Sequence, residues 1–82
     1  MSKDPNYFLD ISKEICPLTF VRVKLLLERM APGDVAEIRL TAGEPLENVP
    51  TSAEELGHSV LRRWAENGSD SGEVYRLWVE KR

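Results

Sequence analysis

Glu14-Ile15-Cys16-Pro17-Leu18-Thr19 holds the only cysteine of the chain and opens its clearest apolar-periodic run. Beyond Pro17, the residues Phe20, Val23, Leu27 and Met30 recur at spacings of three and four, and Leu26 widens the same stripe. That period predicts a helix over 17–31 with one face laid on a sheet. Proline suits the first helical position, where its missing N–H has no intrahelical partner to lose. Pro32-Gly33 stops the run, with glycine just past the helix end. Cys16 therefore falls at the N-cap, where free backbone N–H groups and the positive end of the helix dipole favour a thiolate, the reactive form of cysteine.

Working outward, Tyr7-Phe8-Leu9-Asp10-Ile11 reads as a first strand with Tyr7, Leu9 and Ile11 on one face. Residues 1–6 are polar, include a proline and read as a flexible terminus. After the helix, 34–41 alternates, with Ala36, Ile38 and Leu40 facing one way and Glu37 and Arg39 the other. Gly43, Pro45 and Pro50 mark 42–50 as a loop, and Thr51-Ser52-Ala53-Glu54 has the form of a capping box opening a second helix. Propensity carries that helix as far as Glu66; Gly57 argues for a stop near His58 and a strand over 59–65. Asn67 to Gly72 form a turn or loose hairpin loop. The last strand, 74–80, has Tyr75, Leu77 and Val79 on one face and Val74, Arg76 and Trp78 on the other. The order βαβαββ predicts an α/β (α+β) two-layer sandwich, a four-stranded mixed sheet with two helices on one face.

Eighty-two residues make one small domain, over 7–82. One cysteine forms no internal disulfide, which fits a reducing, cytoplasmic setting. The start lacks the charged-then-apolar pattern of a signal peptide, and no apolar run approaches a membrane span. A net charge of −3 gives no surplus of cations for nonspecific nucleic-acid binding.

The stretches Leu9-Asp10, Cys16-Pro17-Leu18 and Met30-Ala31-Pro32-Gly33-Asp34, in that order, resemble the TusA/SirA-like sulfur-carrier family. Asn48-Val49-Pro50, Glu55-Leu56-Gly57-His58 and Tyr75-Arg76-Leu77 extend the resemblance over nearly the whole chain. It implies the fold above, with a short second helix and a strand from about Ser59. It also implies that Cys16 accepts sulfane sulfur as a persulfide and relays it to an acceptor protein. Implied donors are a cysteine desulfurase or a rhodanese-like protein; implied acceptors belong to tRNA thiolation, sulfur metabolism or cofactor maturation. The protein would be a sulfurtransferase or relay component, without cofactor or metal and as a monomer. Lys24 matches a position where the family usually has a basic residue. The chain departs from the family at Thr19, where Cys-Pro-x-Pro has its second proline, at Lys13 in place of a usual glycine, and at Ala42 and Asn48, which are often aspartate.

Sulfur exchange by a thiolate needs an accessible, poised sulfur and no metal or general base on the carrier. Cys16 is the expected sulfur-bearing residue, with Pro17, Leu18 and Thr19 shaping the site. The N–H that Thr19 has and a proline lacks is a further donor toward the N-cap. Lys13 favours the thiolate and Glu14 opposes it. A second apolar row, Leu18, Val21 and Leu25, lies opposite the core stripe and is bordered by Arg22, Lys24, Glu28 and Arg29. Leu18, Val21, Arg22, Lys24 and Leu25 are the expected docking rim for a partner; the plain alternative is edge-of-core packing or scattered surface apolars. Cys16 itself has a plain alternative as a buried small hydrophobe. One cysteine and one histidine, His58, cannot complete a tetrahedral metal set, and a capping or surface role suits His58 better than a dyad with Cys16. Arg62, Trp64, Arg76 and Trp78 alternate on the last two strands. They serve as a cover for the open sheet face, as a protein contact or as a base-stacking platform. The rival to a sulfur carrier is a noncatalytic interaction or regulatory module that keeps the fold.

Overall fold

The computed structural model describes residues 5–14, 18–66 and 74–82. Cys16, Pro17, the side chain of Leu18, most of the expected N-terminal tail and the turn at 67–73 lie outside the described residues. The elements are β1 (Tyr7–Asp10), α1 (Leu18–Arg29), β2 (Val35–Thr41), α2 (Glu44–Glu55), β3 (Ser59–Ala65) and β4 (Val74–Glu80). They form one four-stranded sheet in the order β1-β2-β4-β3. β1 runs parallel to β2, with α1 as the crossover, and β4 pairs antiparallel with both β2 and β3. The mixed α+β sandwich expected from the chain is the one observed.

Alternation decides which side of the sheet is covered. Ala36, Ile38 and Leu40 of β2 join Leu77 and Val79 of β4 in a fully buried layer. Val23, Leu27 and Met30 of α1 and Leu46, Val49 and Ala53 of α2 close over it, so both helices share one face. Ile11, just past β1, also enters this core. Phe20, expected in the stripe of α1, is only half-buried. Asn6, placed in the expected flexible tail, is tied to β2: its N–H donates to the Val35 carbonyl at 2.7 Å, and its Oδ1 accepts from the Val35 N–H at 2.9 Å.

The helix boundaries differ from the sequence expectation in two places. α1 ends at Arg29, two residues early, because the carboxylate of Asp34 accepts from the Ala31 N–H at 3.1 Å and folds the Pro32-Gly33 turn back on the helix. α2 starts at Glu44, not Thr51, so most of the expected loop 42–50 is helical. Gly43 precedes it at φ 99° and ψ −142°, and Pro45 lies in its first turn, where a proline is tolerated. Pro50 stands inside the helix and is buried. Thr51 is therefore no N-cap; its hydroxyl donates to the Glu47 carbonyl at 2.9 Å, serving a turn that the proline leaves short of N–H donors.

β3 carries a register shift between Val60 and Arg62, with Leu61 as the unpaired extra residue. The shift puts Val60 opposite Val79 on the core side and Arg62 opposite Trp78 on the open side. A regular strand would have put Val60 and Arg62 on the same face.

Candidate functional site at the start of the first helix

The described part of the connection from β1 to α1, residues 11–14, is held at several points. Ile11 plants its side chain in the core and donates its N–H to the Arg39 carbonyl at 2.8 Å. Ser12 turns back on Asp10: its N–H and hydroxyl donate to Asp10 Oδ1 at 2.9 and 2.6 Å. Those bonds, with Arg39 behind them, hold the Asp10 carboxyl below the usual carboxylate range. The Glu14 N–H donates to the Ile11 carbonyl at 3.1 Å, and the Glu14 carboxylate pairs with Arg22 of α1 at 2.5 Å. Glu14, expected to oppose a thiolate at Cys16, thus has its charge answered by the helix that Cys16 precedes.

On α1, Val21 and Leu25 are 44% and 53% exposed, one turn apart. Arg22, Lys24, Glu28 and Arg29 are exposed around them. The described part of the expected rim is therefore on the surface, which removes edge-of-core packing for Val21 and Leu25 and is common to a docking rim and to scattered surface apolars. Thr19, in the first turn, is buried, and its Oγ1 has no hydrogen-bond partner among the described residues.

His58 is engaged elsewhere. Its backbone N–H caps α2 through the Ala53 carbonyl, and its Nδ1 accepts the Arg82 N–H at 3.1 Å. Burial, then the charge of Lys81, pushes its pKa down. Lys81 in turn donates its Nζ to the Leu27 carbonyl at 2.8 Å, placing a cation at the negative end of α1. Among the described residues no cluster of three or more His, Cys, Asp or Glu is arranged to hold a metal. None of their helices is long and apolar enough to cross a membrane.

The open face of the sheet is a network that the sequence reading only half resolved. The Arg39 guanidinium grips both oxygens of Glu66, at 2.9 and 3.1 Å, and sends Nη1 to Asp10 Oδ2 at 3.2 Å and to Ser12 Oγ at 2.9 Å. Arg76 bonds Glu66 at 2.7 Å and Glu37 at 2.5 Å, and the Trp78 indole N–H donates to Glu37 at 2.9 Å. Hydrogen bonds from Arg39 and Arg76 bring the Glu66 carboxyl down to about 2. Arg62 lies 4.6 Å over Trp64 and 5.0 Å over Trp78, whose rings meet edge to face at 5.9 Å. Two of the three arginines are spent on carboxylates and the third covers indole faces. That arrangement fits a cover for the sheet better than a base-stacking platform. The sequence gives no sign that Asp10, Ser12 and Glu66 join this network; the opposite charges of Glu37 and Arg39 on β2 and Arg76 on β4, on one sheet face, are the available signal.

Comparison with known proteins agrees with this architecture. The chain is 40% identical over 58 residues to a protein of Archaeoglobus fulgidus, covering 71% of this chain and 66% of that one. It is 36% identical over 53 residues to one of Thermotoga maritima, covering 65% and 67%. Both carry the name "Putative sulfur carrier protein". The matched stretch spans about two thirds of each relative's length. The crystal structure of a SirA-like protein from Desulfitobacterium hafniense superposes with a TM-score of 0.67 over 90% of this chain and 95% of that one, at 21% identity, which speaks to the fold. The model of the sulfurtransferase TusA family matches residues 7–81, and the chain belongs to that family.

Proposed function

We propose that the protein is a small cytoplasmic sulfur carrier. It takes sulfane sulfur as a persulfide on Cys16 from a donor protein, a cysteine desulfurase or rhodanese-like protein. It passes that sulfur to an acceptor protein in tRNA thiolation, sulfur metabolism or cofactor maturation. The observation that carries this reading is the exposed pair Val21 and Leu25 on the helix that begins two residues after the only cysteine of a TusA-family chain. A partner docked on that row lies beside the entrance to α1, where a helix-start thiol is expected to be poised. Leu18, Arg22 and Lys24 complete the rim. Exposed apolar side chains flanked by cations suit a partner with an apolar patch rimmed by acids.

Pro17, Leu18 and Thr19 shape the site. Thr19 replaces the family's second proline with a residue that has both an N–H and a hydroxyl. The hydroxyl is buried in the first turn without a partner among the described residues, three residues after Cys16 in sequence. A sulfur anion at the N-cap supplies the acceptor that this hydroxyl lacks.

The test is intact mass after incubation with a cysteine desulfurase and cysteine. Wild type gains the mass of one sulfur atom, removed by reductant, and Cys16→Ser gains none. Absence of the gain in wild type, or an equal gain in Cys16→Ser, sinks the carrier reading and leaves a noncatalytic interaction module.

A further inference from the structure

We propose that the helical layer is a reversible dimer interface: two copies of this chain stack layer on layer, with α1 of each lying on α2 of the other. The layer has two lanes of opposite sign. α1 carries Arg22, Lys24 and Arg29 against the single acid Glu28, and α2 carries Glu44, Glu47, Glu54 and Glu55 with no basic residue. All of these side chains are exposed. Of them only Arg22 makes an ion pair with another described residue, Glu14. The carboxylates of α2 fall on the side opposite buried Leu46, Val49 and Ala53, as Val21 and Leu25 fall opposite Val23 and Leu27 on α1.

Topology restricts how two such layers can meet. β1 is parallel to β2, and β2 and β3 are both antiparallel to β4. Each helix therefore links two parallel strands, and the helices run side by side in the same direction. A two-fold axis lying between two stacked layers has two simple settings. Set across the helices, it lays α1 on α1 and α2 on α2, cation on cation and acid on acid. Set along the helices, it lays α1 of each copy on α2 of the other, and the favourable contact is made twice. Charge selects the second setting. A partner of one sign meets attraction on one lane and repulsion on the other, whereas the chain's own layer answers both. Each helix has 12 residues, and the exposed apolar side chains are few: Val21 and Leu25, with Leu56 at the end of α2. The pairing is therefore weak, salt-sensitive and reversible. It covers the row proposed for docking, so a copy in the dimer is closed to a sulfur donor. That consequence rests on the carrier reading; the dimer itself does not.

The experiment is sedimentation equilibrium of the full chain at concentrations up to about 1 mM and at low and high salt, in reductant, which keeps Cys16 out of disulfides. Wild type is expected to pass from monomer to dimer as concentration rises, and to do so about tenfold more weakly at high salt. One variant, Lys24→Glu with Arg29→Glu, reverses the lane of α1; another, Glu47→Lys with Glu54→Lys, reverses that of α2. Each should weaken dimerisation about tenfold, because the two-fold axis repeats every contact. An equimolar mixture of the two variants recovers it, since the reversed α1 then meets the reversed α2 and the two unaltered lanes meet each other. Such recovery also shows that both variants are folded. Wild type that stays monomeric throughout overturns the proposal. So does dimerisation indifferent to both reversals, or a mixture that associates no better than its components. Sulfur loading from a cysteine desulfurase tests the consequence: the rate per molecule should fall with concentration more steeply in wild type than in the α2 variant. Equal falls overturn the claim that the dimer covers the docking row. If wild type takes up no sulfur at any concentration, the carrier reading fails instead, and sedimentation judges the dimer alone.

Discussion

Thr19 shows how a single residue can be placed against stability. A buried hydroxyl without a partner costs about 1–3 kcal/mol, and valine has nearly the same shape. Thr19→Val is therefore expected to raise stability by about 1 kcal/mol, read as a melting temperature higher by about 5 °C. If the hydroxyl serves the sulfur, the same variant alkylates with a higher thiol pKa and loads sulfur more slowly. His58 makes a separate prediction. Its Nδ1 must be unprotonated to accept the Arg82 N–H, and burial and Lys81 keep its pKa below the ordinary value. The unfolded chain takes up the proton first, so this contribution is present above about pH 6.5. It is lost as pH falls through the lower folded value. Denaturant midpoints at pH 7.5 and pH 5.5 should differ more in wild type than in His58→Gln.

At the scale of elements, period and punctuation were enough for most of the chain. β3 and β4 lie where the sequence puts them, and β2 and α1 differ from their expected bounds by one or two residues. α2 departs from the sequence expectation because Gly43, Pro45 and Pro50, which ordinarily punctuate loops, stand at its start and inside it. Pro45 falls in the first turn, where its missing N–H costs nothing, and tertiary burial of Leu46, Val49 and Pro50 outweighs the loss at the second proline. The start of α2 depends instead on Gly43, whose φ of 99° is paired with ψ −142°. A side chain there meets no neighbouring atom within 4 Å, so the penalty for adding one comes from the backbone alone. Gly43→Ala should cost about 2 kcal/mol in denaturant unfolding with an unchanged m-value. An unchanged midpoint would show that α2 does not need this conformation. The bulge at Leu61 was also beyond the sequence, because a strand pattern carries no sign of an extra residue until its partner is known.

Across the whole molecule, the two faces divide the charge differently. The open face pairs its charges internally, and Glu66 is its hub. Its carboxyl is brought from 4.5 to about 2 by Arg39 and Arg76. The stability it contributes is fully present above about pH 4.5 and disappears as pH falls toward 2. Glu66→Gln should therefore unfold more easily than wild type at pH 6 and lose that difference near pH 2. Among the described residues, the helical face shows fewer ion pairs than the open face. α2 carries Glu44, Glu47, Glu54 and Glu55 and no basic residue, whereas Lys24 and Arg29 stand exposed on α1 beside Val21 and Leu25. Of the expected site, the exposure of Val21 and Leu25 was legible in the sequence, as the row opposite the core stripe. The polarity of the helix layer was not, because it arises from two segments brought side by side by the fold. A partner steered to Val21 and Leu25 should be acidic at its rim and should be repelled by α2. Lys24→Glu should weaken association with the sulfur donor by up to about fivefold, mainly through the on-rate and only at low salt. Glu54→Lys should leave that association unchanged or tighten it. Weakening by both substitutions alike, measured by surface binding at two ionic strengths, would place the docking face elsewhere than on α1.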